Sequence, residues 1–187
     1  MKIYPTLIAL LTFILLTSSH CKKNRPSNPI DQLPPETQTG ANTFGCLVNG
    51  QVFKPGGAQL SGGSLSCNYQ YLNGGFYFTL SAVKQPGGSS TQTSVSLFTD
   101  SLKINEGEKL ILINRAKGKP YGQYLGTGTN INDWLHETSV NSTGELWIKK
   151  LDPVNQIVSG TFWFDAVNAN GQKVEIREGR FDVRYTQ

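Results

Sequence analysis

The sequence predicts an all-β fold, an antiparallel sandwich or flattened barrel of about ten short strands. Three observations lead there. Apolar and polar residues alternate with period two through most of residues 43–187. Turn dipeptides recur at spacings of roughly 8–12 residues. The composition, 37% hydrophobic and 16% charged over 187 residues, supplies one ordinary core and argues against wholesale disorder.

The first forty residues read as a leader and a tether. Lys2 gives a positive start, and residues 7–16 (LIALLTFILL) are apolar except for Thr12. That run is shorter than the ~20 residues a membrane-spanning helix needs, and it suits a signal-peptide core. Residues 17–21 (TSSHC) end on Cys21, followed by Lys22 and Lys23. A cysteine after small residues at this point resembles a bacterial lipoprotein signal. The resemblance implies removal of residues 1–20 and acylation of Cys21, which would anchor the chain to a membrane. Residues 22–42 are polar and proline-rich, with only Ile30, Leu33 and Ala41 apolar. Too little surface is available there to offset the entropy of ordering, so 21–42 is expected to be a disordered tether and 43–187 a single β domain. The net charge of +4 belongs partly to the leader and tether. A clustered basic face is not evident, and no nucleic-acid partner is expected.

Within the domain, Asn49-Gly50 and Asn73-Gly74 each separate two strand-like runs, a strong hairpin signal. Residues 65–71 and 76–84 form the second of these hairpins, with Phe76, Phe78, Leu80 and Ala82 on one face. Residues 94–99 and 109–114 read as two further strands. A turn at 152–155 (DPVN) joins runs 145–151 and 156–167. Asn170-Gly171 leads into 173–177, and Glu178-Gly179 reads as a turn into 180–186. Residues 115–142 break the pattern with four glycines and the stretch NINDWLHE. They are expected to form a long crossover loop carrying a short helix with an Asn cap. Cys46 and Cys67 lie in strand-like runs. Acylation of Cys21 would leave them as the remaining pair in a compartment where disulfides persist, so a bond between them is expected, with two buried thiols as the alternative.

The C-terminal runs carry a recognisable pattern. Residues 159–166 (SGTFWFDA), 174–176 (VEI) and 179–183 (GRFDV) read as G-x-F-x-F-x-A … V-x-I-x-x-G-x-F-x-V. With residues 44–50 (FGCLVNG), they resemble a family of uncharacterised Bacteroidota envelope lipoproteins with an all-β domain. The resemblance implies the fold and an envelope location, and no activity. Surface-displayed members carry acidic residues after the lipidated cysteine. Lys22, Lys23 and Asn24 here imply a periplasm-facing protein.

Catalytic material is sparse. His136 is the only histidine beyond residue 20. With Asp133 and Glu137 it has i, i+3, i+4 spacing, which on a helix would place three metal-ligating groups on one face. A capped surface helix accounts for the same residues. A Ser-His-acid site would need this same histidine, and no G-x-S-x-G occurs. Glu145, Asp165, Glu175 and Asp182 could supply the paired carboxylates of a glycosidase. Alternation sends them to a polar face shared with Lys149, Lys173, Arg177, Arg180 and Arg184, where salt bridging is the simpler role. The glycine pairs lack a phosphate-loop context, and no cofactor is expected.

The remaining signal is aromatic. Alternation leaves Trp147 with Glu145 and Lys149 on the non-core face of one strand, and Trp163 with Thr161 and Asp165 on that of the next. The two strands should pair as a hairpin and bring the indoles together as a platform suited to sugar rings, unless the 115–142 crossover covers it. The expected function is therefore a non-catalytic, envelope-tethered lipoprotein that binds a glycan or another envelope component. A protein-interaction scaffold is the alternative, and a carboxylate-based hydrolase the less favoured one.

Overall fold

The computed structural model describes residues 28–57, 63–85, 91–127 and 130–187. The expected signal peptide, Cys21 and residues 22–27 lie outside the described residues. No helix among the described residues is long and apolar enough to cross a membrane.

Eleven strands make the fold: β1 (Thr43–Val48), β2 (Gln51–Phe53), β3 (Leu65–Leu72), β4 (Gly75–Lys84), β5 (Thr93–Thr99), β6 (Lys109–Leu112), β7 (Pro120–Leu125), β8 (Leu135–Glu137), β9 (Gly144–Asp152), β10 (Ile157–Val167) and β11 (Lys173–Arg184). One short helix, α1 (Ile131–Trp134), precedes β8, and a 3₁₀ turn at Pro29–Gln32 precedes β1. The hydrogen-bonded order is β2-β1-β11-β10-β8-β7-β5-β4-β3, with β9 joined to β10 and β6 to β9.

β10 connects two layers. Residues 157–164 pair with β9, whereas Val167 alone pairs with Glu137 of β8. The strip β2-β1-β11-β10-β9-β6 packs over β8-β7-β5-β4-β3, and the sheet is not closed. This is the expected all-β sandwich. Phe44, Leu146, Ile148, Phe162, Phe164 and Ile176 of the first strip form one apolar cluster with Phe78, Leu80, Val95 and Leu97 of the second. Each such buried side chain contributes about 1.5–3 kcal/mol.

The hairpin signals hold. Asn49 and Gly50 have φ of 47° and 77°, and Asn73 and Gly74 of 49° and 85°, the paired positive values a type I′ turn requires. Val48 faces Gln51, and Leu72 faces Gly75, across these turns. At the 152–155 turn, Asp152 Oδ1 accepts from the amides of Val154 and Asn155, each at 3.0 Å.

Four expectations are corrected. Glu178-Gly179 is not a turn: β11 runs through it, with Glu178 at φ 55°. Phe162 faces Gly179 and Phe164 faces Ile176, so two residues of β11 oppose Trp163 alone. This is a β-bulge. Second, the 115–142 segment carries the expected short helix, with Asn130 Oδ1 accepting from Asn132 N at 2.9 Å, but it also supplies two strands. β7 pairs with β5 and β8, and Tyr121 stacks on Phe98 with ring centroids 4.7 Å apart. Gly122 serves packing there, because a Cβ would lie 3.0 Å from the Phe164 ring.

Third, Cys46 and Cys67 are free, buried thiols and form no disulfide. Cys46 faces Phe53 of β2, while Cys67 faces Leu80 of β4, in strands far apart in the sheet order. Burial pushes both thiols well above the usual range, as for small apolar core residues.

Fourth, residues 28–42 are an ordered strap on the domain and not a tether. Asn28 Oδ1 caps the 3₁₀ turn by accepting from Ile30 N at 3.1 Å. Leu33 is buried. Pro34 packs on Gly45 so closely that a Cβ there would lie 2.5 Å from Pro34 Cδ. Asp182, fully buried, then accepts from Thr37 Oγ1 (2.7 Å) and from the amides of Thr39 (2.9 Å), Gly40 (2.7 Å) and Ala41 (3.1 Å). Leu33 and Pro34 supply its apolar packing, and a distant carboxylate fastens the rest, which is why its composition read as disorder.

Candidate functional site

The outer face of the first strip divides in two. The strap crosses β1 and β11 through Gly45 and Asp182. The part over β6, β9 and β10 is open. Alternation along β9 and β10 sends Leu146, Ile148, Phe162 and Phe164 inward, and Glu145, Trp147, Thr161, Trp163 and Asp165 outward.

Strand register brings the two indoles together. Trp147 faces Thr161 and Trp163 faces Glu145, which makes the tryptophans diagonal neighbours, a spacing within reach of aromatic side chains. Trp147 is 36% and Trp163 42% exposed. On the far side, Lys109 of β6 faces Trp147 and Ile111 faces Glu145, with Ile111 also exposed. The crossover does not cover this face.

Two bulges shape it. Lys149 is the extra residue of β9 between the Lys150–Ser159 and Ile148–Gly160 pairs. The β11 bulge sits opposite Trp163. It places Arg177 so that Nη1 donates to the carbonyls of Phe164 (3.1 Å) and Ile176 (2.9 Å), and Nη2 to Asp165 Oδ1 (2.6 Å). Bulges of this kind re-aim side chains.

All seven ion pairs among the described residues involve this strip, five of them through residues of β11 beside the open part: Lys109–Glu145, Lys149–Glu36, Lys173–Asp165, Lys173–Glu175, Arg177–Asp165, Arg177–Glu175 and Arg180–Glu178. Burial pushes the Asp165 carboxyl up, but hydrogen bonds from Lys173 and Arg177 outweigh it and leave the pKa below the usual range. The hydrogen bond to Asp165, then that to Glu175, raises Lys173. The cations also meet the indoles. Lys149 Nζ is 4.8 Å and Lys109 Nζ 4.9 Å from the Trp147 ring centroid, and Arg177 Cζ is 5.6 Å from that of Trp163.

A notch of about 400 Å³ opens between the strap's Glu36 and Trp163, with Thr161, Lys149, Arg177 and Arg180 among its walls. Aromatic faces beside paired donors and acceptors can stack on the C–H face of a ring while the rim binds hydroxyls. No protein-family model, curated protein or solved structure matches this chain. The geometry therefore carries the functional reading alone.

The structure gathers Glu145, Lys149, Trp147, Trp163 and Asp165 on one face, and it disperses the proposed metal ligands. α1 ends at Trp134, so Asp133, His136 and Glu137 do not share a helical face. His136 is buried on β8 with Nδ1 3.2 Å from the Trp134 carbonyl, Glu137 accepts from Gln123, and Asp133 accepts from Asn170. No metal-binding cluster occurs among the described residues. Asp182, expected on a solvated face, is the strap's anchor. Sequence reasoning missed Glu36, hidden in a presumed tether, and Lys109. It placed Arg177 on the polar face without its role; a Glu-Gly pair inside an alternating run was the available sign of the bulge.

Proposed function

We propose that the protein is a non-catalytic envelope lipoprotein, anchored at Cys21, whose β domain binds a glycan on the open face of β6, β9 and β10. The observation that carries this reading is the exposed, diagonally adjacent pair Trp147 and Trp163 set within an ion-paired rim. Nearby carboxylates favour binding over hydrolysis. Asp165 and Glu175 share Lys173, each at 2.9 Å, so they are close to one another. A glycosidase general acid needs a raised pKa, however, and Asp165 is held below the usual range.

The strap changes how such an anchor would act. Seven peptide steps separate Cys21 from Asn28, a span of at most about 25 Å. The domain would sit close to the bilayer and not at the end of a long leash.

A screen of the protein against glycans and peptidoglycan fragments, alongside Trp163→Ala, tests the reading. Binding that Trp163→Ala weakens at least about tenfold is the expected result, a loss of about 1.4 kcal/mol. A second reading, a protein-interaction scaffold, draws on a different place. Tyr71 (62% exposed) and Leu72 sit on β3 beside an apolar groove of about 620 Å³ that also includes Tyr69, Phe76 and Leu151. Loss of partner capture in Tyr71→Ala with glycan binding absent throughout would favour it.

A further inference from the structure

Resting on the glycan reading of this face, we propose that the ligand is an uncharged oligosaccharide at least two rings long, and not an acidic one. Around the two indoles stand five cations and five carboxylates, all joined in the pairs above. Arg177 is committed to two carbonyls and to Asp165. Arg180 donates to the Glu178 carbonyl at 3.3 Å and its carboxylate at 3.4 Å. Lys149 is held by Glu36 of the strap.

An acidic sugar would find every rim cation taken. To share one it must bring its own carboxylate up against the carboxylate already paired there, a like-charge contact. A hydroxyl meets no such conflict, because it both donates and accepts. A paired carboxylate keeps spare lone pairs, and a paired ammonium keeps spare protons. Neighbouring hydroxyls can therefore bridge an existing ion pair without breaking it. The balanced charges also leave little long-range field to draw in a polyanion. Two diagonal stacking positions, not one enclosed pocket, set the minimum length.

The test is binding of the full-length protein to neutral probes (cellohexaose, a β-1,3-glucan hexamer and mannan) and acidic probes (polygalacturonate and hyaluronan oligomers), each at low and high salt. Wild type should be compared with Trp163→Ala, whose exposed side chain can be removed without opening the core, and folding should be checked by thermal melting. The expected result is binding to a neutral probe that changes less than about twofold with salt and falls at least about tenfold in Trp163→Ala. Tighter binding of an acidic probe, weakening steeply with salt, would overturn the proposal while leaving the glycan reading intact. No binding to any probe would overturn both.

Discussion

One face of one sheet is finished in two different ways. Over β1 and β11 the strap covers it, closed down by a buried carboxylate and by a glycine that admits a proline. Over β6, β9 and β10 it is left to water, with two tryptophans exposed among cross-strand ion pairs. In the covered half, polar groups are used up: Asp182 accepts from two hydroxyls and three successive amides. In the open half, charges are balanced but still have hydrogen-bonding capacity. A covered face of this kind stabilises the fold. An open one with large aromatic area adds little stability and is free to bind.

The largest expected effect is at the covered half's anchor. Asp182→Ala removes the acceptor for three strap amides and should cost roughly 2–3 kcal/mol in denaturant unfolding. It should also expose residues 28–42 to protease. Unchanged stability and a resistant strap would show that the two halves do not differ as described.

Acid provides the same test without mutation. Burial raises Asp182, but hydrogen bonds from Thr37, Thr39, Ala41 and Gly40 outweigh it and bring its pKa below the usual value. The unfolded carboxyl, near ~3.9, then binds its proton more readily than the folded one. The contribution is complete above about pH 4 and is lost as pH falls through the lower, folded pKa. Strap proteolysis should rise in that window, and Asp182→Asn should flatten its pH dependence.

Gly45→Ala should be milder. The new Cβ meets Pro34, which must shift, at about 1–2 kcal/mol. The smallest effect belongs to the open half. Lys149→Ala breaks a surface pair with Glu36 and should change stability by less than about 1 kcal/mol. A loss matching that of Asp182→Ala would mean the open half is structural after all.

The open half was far more legible in the sequence than the covered one. Taking the apolar residues of 145–148 and of 161–166 as inward places Trp147 and Trp163 on the same side; the turn's register alone would set Trp147 opposite Phe162, and the bulge at Lys149 moves it to Thr161. The strap was illegible because its order comes from long-range contacts, a distant carboxylate above all. Asp182 lies more than 140 positions from Thr39 and Gly40 in the chain, and nothing in either stretch marks the pairing. The cysteines were misread for a related reason. Compartment and alternation put both in strands, yet whether two thiols meet depends on strand order, which local pattern does not contain. The bulge at Glu178 shares its residue chemistry with a turn, and only the resumption of β11's pairing with both neighbours beyond it tells them apart.

The most direct measurement follows the indole N–H resonances of the three tryptophans by NMR while a neutral hexasaccharide is added. Trp147 and Trp163 stand on the open face, and Trp134 lies beside β8, away from it. The account predicts saturable shifts at Trp147 and Trp163, with Trp134 unmoved. Shifts at Trp134 alone, or at none of the three at saturating sugar, would contradict it.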